Sequence, residues 1–132
     1  MKINAIIEKW DDNTISIYVP KFEGFNLNGQ GKTVEEAKTS LMSALEDYKS
    51  VLRLKGKEVP VSLSNIEFEY KYDISSFLKK FYFINILAFA EYLGIDSSLM
   101  NEQYITLVSE EQKQKIEEAI HKVGKELLAV QF

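Results

Sequence analysis

The chain has 132 residues, enough for one ordinary domain or two small modules. Hydrophobic residues make up 45% and charged residues 27%, a normal globular balance, and the net charge of −4 argues against a general polyanion binder, which carries a basic excess. With no cysteine, a disulfide-stapled or zinc-ribbon domain is excluded.

The charge is unevenly placed. Residues 1–62 hold nine basic and nine acidic residues, whereas residues 63–132 hold seven basic and eleven acidic ones. The opening Met1-Lys2-Ile3-Asn4 lacks the apolar stretch of a signal peptide. The most apolar run, Phe81 to Ala90, is interrupted by Asn85 and is too short to span a bilayer. A cytoplasmic protein without membrane association is expected.

In chain order, Ile3, Ala5 and Ile7 alternate with polar residues, as do Ile15, Ile17 and Val19. Asp11-Asp12-Asn13 between them has turn composition, so the two runs predict a β-hairpin. Pro20 closes the second strand because it has no N–H to donate. Residues 25–30 predict a short third strand. The period then lengthens: Ala37, Leu41, Leu45, Tyr48 and Leu52 predict a helix over 33–54, started by a Thr33/Glu36 capping box. After Pro60, Ile66, Phe68, Tyr70 and Tyr72 alternate with Glu67, Glu69 and Lys71 and predict a fourth strand.

From Asp73 onward the pattern is helical. Asp73 caps a short helix to about Phe81, a second helix spans 84–93 and stops at Gly94, and Asp96 caps a third. Ser109 and Gln112 form a capping box for a final helix to about 129, with Ile116, Ile120, Val123 and Leu127 on its buried stripe. The expected fold class is α+β. A β-β-β-α-β sheet domain over 1–72 precedes an all-α domain over 73–132.

The first half resembles the HicB antitoxin family. The resemblance rests on the hairpin from Ile6 to Ile17, on Val19-Pro20-Lys21-Phe22-Glu23-Gly24-Phe25, and on the helix start Gly31-Lys32-Thr33-Val34-Glu35-Glu36-Ala37. It covers roughly residues 3–50. It departs from the family at Lys21, where an acidic residue is common, and at Phe25, where a cysteine is common. The second half is similar to the helix-turn-helix that many members carry, through Ala90-Glu91-Tyr92-Leu93-Gly94-Ile95 and Met100. The resemblance implies a truncated ribonuclease-H-like sheet domain that covers a small, basic, HicA-like, mRNA-cleaving toxin. It also implies a C-terminal domain that binds operator DNA, and a homo-oligomer.

Around the hairpin, Trp10 stands beside the turn, and Phe22 and Phe25 lie in a loop. They read either as partner anchors or as cover for the open end of the sheet. Glu8, Asp11, Asp12 and Glu23 around them suit a basic partner. The helix-turn-helix reading puts Ser97, Ser98, Asn101 and Glu102 on the groove side, makes Asn101 and Gln103 available for base contacts, and leaves Lys113 and Lys115 to flank phosphates. No Arg or Lys lies between residues 81 and 112, and Glu91, Asp96 and Glu102 repel phosphate. The same region therefore also reads as a packing or dimerisation module.

No enzyme is expected. The single His121 has no triad partner in the pattern, no serine sits in a nucleophile elbow, and Glu8, Asp11 and Asp12 read as a polar turn rather than a two-metal site. No metal or cofactor is expected. The alternative function is an orphan helix-turn-helix regulator whose N-terminal domain senses a ligand or dimerises.

Overall fold

The computed structural model describes residues 2–20, 26–96, 98 and 108–132. The chain is mixed α+β and divides into two compact units, one ending at Lys80 and one beginning at Phe81. Charge follows the division. The first unit carries twelve basic and twelve acidic residues, and the second carries four lysines against eight acidic residues.

The first unit is built on a four-stranded sheet. Its strands are β1 (Lys2–Lys9), β2 (Ile15–Tyr18), β3 (Asn28–Gly31) and β4 (Glu67–Tyr72), in the order β3-β2-β1-β4. The first three form an antiparallel meander, and β4 returns parallel to β1 with Phe68 opposite Ile3 and Tyr72 opposite Ile7. A parallel return needs a crossover, and the long helix α1 (Val34–Leu54) begins it. A single turn, α2 (Val61–Ser64), then buries Leu63. The sequence pattern did not anticipate α2, because four residues cannot display a helical period.

Strand alternation divides the sheet into two faces. Ala5, Ile7, Ile15, Ile17, Ala37, Leu41 and Leu45 form the closed core beneath α1, with Phe68, Tyr70 and Tyr72 packed at its margin. The opposite face carries Asn4, Glu8, Ser16, Tyr18, Glu69 and Lys71. Pairing runs slightly past β2, since the Val19 N–H donates to the Leu27 carbonyl at 3.1 Å.

Gly29 and Gly31 lie opposite Ile17 and Ile15, on the face that α1 covers. A Cβ at Gly29 would sit 2.8 Å from the Leu41 Cα and closer still to the Ala37 carbonyl. One at Gly31 would be 2.8 Å from the Ala37 backbone nitrogen. The missing side chains therefore let the helix backbone lie directly on β3. Ser40 of α1 reinforces the seam by accepting from the Gln30 N–H at 3.1 Å, which also occupies a donor on this edge strand.

Thr33 caps α1 as expected, accepting from the Glu36 N–H at 3.1 Å. The reciprocal half differs from the expected capping box. The Glu36 carboxylate accepts instead from the Lys32 N–H, one residue earlier, at 2.7 Å. α3 (Ile74–Lys80) belongs with the sheet unit, whereas the sequence pattern placed a domain change after Tyr72. Asp73 continues the ladder through its N–H to Ile7, and the buried Ser76 hydroxyl accepts from the Lys9 N–H at 3.0 Å.

The second unit contains α4 (Ile86–Leu93) and α5 (Glu110–Leu128). Asn85 caps α4 by accepting from the Ala88 N–H, and the Ser109/Gln112 capping box at α5 is complete in both directions. Buried Ala90, Ile95, Val108 and Ile116 mark its core. The expected third helix after Asp96 lies, apart from Ser98, outside the described residues. Among the described residues, no helix is long and apolar enough to cross a membrane.

The seam predicts the cost of disturbing it. Gly29→Ala forces backbone apart and is expected to lose about 1–3 kcal/mol of sheet-unit stability, as overpacked sites do. Thr33→Ala is expected to lose about 1 kcal/mol through the cap alone. Urea unfolding followed by far-ultraviolet circular dichroism checks both, with Gly29→Ala the more damaging change.

Candidate functional site

The candidate site occupies the end of the sheet where β1 leaves, the hairpin turns and α3 begins. The turn is tightly specified. Trp10 N–H donates to the Thr14 carbonyl at 2.9 Å, and Asn13 N–H donates to the Trp10 carbonyl at 3.0 Å. Asn13 takes the left-handed conformation at φ 69°, which Asn tolerates better than most residues. The Asp12 carboxylate accepts from the Thr14 backbone N–H at 3.0 Å, and this bond, aided by the Thr14 hydroxyl, holds its pKa below the usual 3.8. Asp12 is thus a structural part of the turn as well as a surface charge.

Trp10 is 55% exposed at this turn, so a large ring meets solvent on a rigid backbone. Asp11 beside it pairs with Lys79 of α3 at 3.2 Å. Asp11 itself is almost wholly exposed, so the pair contributes little to stability.

Glu8 projects from the face opposite the core. The hairpin register places it across from Ser16, with Tyr18 as its diagonal neighbour, and the Tyr18 hydroxyl donates to its carboxylate. Asp73, arriving from β4, brings a second carboxylate nearby. Burial pushes the Glu8 carboxyl above its ordinary 4.5, and Asp73 adds to that rise. The Tyr18 bond opposes it. Tyr18 is itself raised above 10.0, by burial first and then by the two carboxylates. Asp73 also caps α3 by accepting from the Ser76 N–H at 2.7 Å.

The structure thus gathers Glu8, Trp10, Asp11 and Asp12 at one end of the sheet unit. Phe22, Glu23 and Phe25 lie outside the described residues. Sequence reasoning missed Tyr18, Asp73 and Lys79. The first was within reach, because Glu8 and Tyr18 share the outward parity of two paired strands. The other two depend on a parallel pairing more than sixty residues away in sequence. Among the described residues, no three acidic or histidine side chains converge closely enough to hold a metal ion.

In the second unit, Gly94 ends α4 at φ 69°, and the Ile95 N–H returns to the Ala90 carbonyl at 3.0 Å. Ala90 and Ile95 are both buried at this tight turn. Asp96 accepts from both the N–H and the hydroxyl of Ser98, which lowers its pKa below 3.8. Of the candidate DNA contacts, Ser97, Asn101 and Gln103 lie outside the described residues, as does Glu102. Ser98 is turned to Asp96, Lys113 is paired with Glu110 at 3.0 Å, and Lys115 stands exposed on α5. His121 is exposed on α5.

Compared with protein-family models, with curated proteins and with solved structures, the chain matches none.

The Glu8 environment gives a pH test. A carboxyl whose pKa is raised by folding binds its proton more tightly in the native state. Stability is therefore lost as pH rises from the ordinary 4.5 through the raised value. Glu8→Gln removes the charge while keeping an acceptor for Tyr18. It is expected to melt higher than the unsubstituted protein at pH 7, with the difference disappearing below pH 4.5. Thermal melts at the two pH values check this. A loss at pH 7 that disappears below pH 4.5 would mean that the Tyr18–carboxylate bond outweighs desolvation.

Proposed function

We propose that this chain is an antitoxin-like binding protein rather than an enzyme. In this reading its sheet unit covers the nucleic-acid site of a small, basic, mRNA-cleaving toxin of the HicA kind, in the cytoplasm and without a cofactor. The observation that carries the reading is Trp10, half exposed on a rigid turn and flanked by the carboxylates of Asp11 and Asp12. A large aromatic anchor within an acidic rim is the chemistry that seats a basic, RNA-binding protein. The antiparallel meander with a parallel fourth strand is compatible with a truncated ribonuclease-H-like domain. The family resemblance supplies the identity of the partner.

The helical unit supports an added role in repression of its own operon. The support is the tight turn at Gly94, where α4 ends with Ala90 and Ile95 buried around it, a turn of the kind that follows the first helix of a helix-turn-helix. The same turn favours a second reading, an orphan transcriptional regulator whose sheet unit senses a ligand or dimerises.

Co-expression with the product of the adjacent gene, followed by pull-down and a growth assay, separates the two. The antitoxin reading expects a stable complex that relieves growth arrest. It also expects Trp10→Ala to weaken that complex about 30-fold, corresponding to the ~2 kcal/mol of an anchor residue. Asp11→Ala should matter less, as an exposed rim charge. A non-toxic neighbour that fails to bind would overturn the reading in favour of the orphan regulator.

A further inference from the structure

The antitoxin reading leaves one edge of the sheet without a role. β4 stands at the end of the strand order, and among the described residues β1 is its sole strand neighbour. The Asp73 N–H donates to the Ile7 carbonyl, so Asp73 turns its backbone groups to β1. Backbone groups alternate between the two edges of a strand. Glu69 and Lys71 therefore also face β1, whereas the N–H and C=O groups of Phe68 and Tyr70 face the open edge. Among the described residues, no hydrogen bond reaches those four groups. The other outer strand is different. β3 has four residues, two of them glycine, and Ser40 takes up its Gln30 N–H. β4 has six residues, none of them glycine or proline, in unbroken register with β1. Short strands, prolines and covering groups are what usually close an edge to pairing.

The two faces beside this edge differ in chemistry. Glu67, Glu69 and Lys71 are exposed on the face away from the core. Glu69 has Lys2 at 3.8 Å, a loose and solvent-exposed pair, and Glu67 has no ion-pair partner among the described residues. On the core side, Phe68 and Tyr70 are half-buried, with ring centroids 6.2 Å apart. We propose that β4 accepts an added strand, and that its occupant is an extended segment of another protein in which basic and apolar residues alternate. The backbone of that segment pairs with Phe68 and Tyr70. Its basic side chains lie beside Glu67 and Glu69, and its apolar side chains continue the layer of Phe68 and Tyr70.

A second copy of β4 is the competing occupant. It fits less well, because each copy brings two glutamates and one lysine to the shared face, so pairing two copies concentrates acid there. The same charges discourage like strands from stacking at a free edge and leave it open to a strand of opposite charge. The inference uses neither Trp10 nor the hairpin turn, and it stands if the antitoxin reading fails.

A synthetic peptide of alternating lysine and valine, titrated into the full chain at low salt, tests it. Fluorescence anisotropy is expected to show saturable binding, and amide hydrogen exchange is expected to slow at Phe68 and Tyr70. The same peptide N-methylated at every residue keeps its charge but donates no backbone hydrogen bond. It should bind at least about tenfold more weakly. The variant Glu67→Lys/Glu69→Lys sets like charges against the peptide and should also bind it at least about tenfold more weakly. Both positions are exposed, so circular dichroism melts should show the variant folded. No binding, equal binding of the methylated peptide, unchanged exchange at Phe68 and Tyr70, or undiminished binding by the variant would each overturn the inference. Protection of the same two amides in the protein alone, rising with its concentration, would overturn it in favour of a second copy.

Discussion

Gly29 has no side chain, and that absence sets the distance at which α1 lies over the sheet. With the helix backbone resting on β3, the side chains of Ala37, Leu41 and Leu45 reach down between Ile7, Ile15 and Ile17 and close the core. The placement of α1 in turn fixes where the crossover delivers β4, beside β1 and parallel to it. That pairing carries Asp73 to the side of Glu8 and sets Ser76 beneath the Lys9 N–H. The candidate site at the far end of the sheet is therefore a consequence of packing at the opposite edge. A β3 residue with a side chain would move the helix and, with it, the strand that completes the site.

The site combines two kinds of carboxylate that do different work. Asp12 is held ionised by donors within its own turn, so it stays charged while shaping the loop that presents Trp10. Glu8 is half-buried beside Asp73 and resists ionisation. A basic partner arriving at this end would meet a fixed charge at the turn and a responsive one on the sheet. A nearby cation would favour the charged form of Glu8, so part of the cost of burying that carboxylate would be offset on binding.

Local pattern carried most of the first unit. The two-residue period of Ile3–Ile7 and Ile15–Val19, the helical recurrence from Ala37 to Leu52, and the Thr33 cap are short-range physics, visible without any tertiary context. What was not legible was long-range or too brief. The turn Val61–Ser64 is shorter than a helical period. The bond from Glu36 to the Lys32 N–H instead of the Thr33 N–H depends on the chain leaving β3 at Gly31. The attachment of α3 to the sheet depends on Ser76 meeting a strand end far away in sequence. Asp73 read as a helix cap and is one, since it holds the Ser76 N–H. Its second role, as a neighbouring charge to Glu8, required the parallel pairing.

The division of charge separates the two units in kind. The first is balanced, and its acidic end is a local concentration of carboxylates around one aromatic ring. The second carries a net negative charge, eight acidic residues against four lysines, which by itself disfavours nucleic acid. Along α5, Glu111, Lys115, Glu118 and Lys122 alternate in sign at steps of four, three and four residues. At that spacing opposite charges are neighbours on one helix and favour its helical conformation by ~0.2–0.5 kcal/mol per pair. The acidic excess of the second unit is therefore ordered along its longest helix so that its lysines offset repulsion between carboxylates, which a block of like charge would not allow.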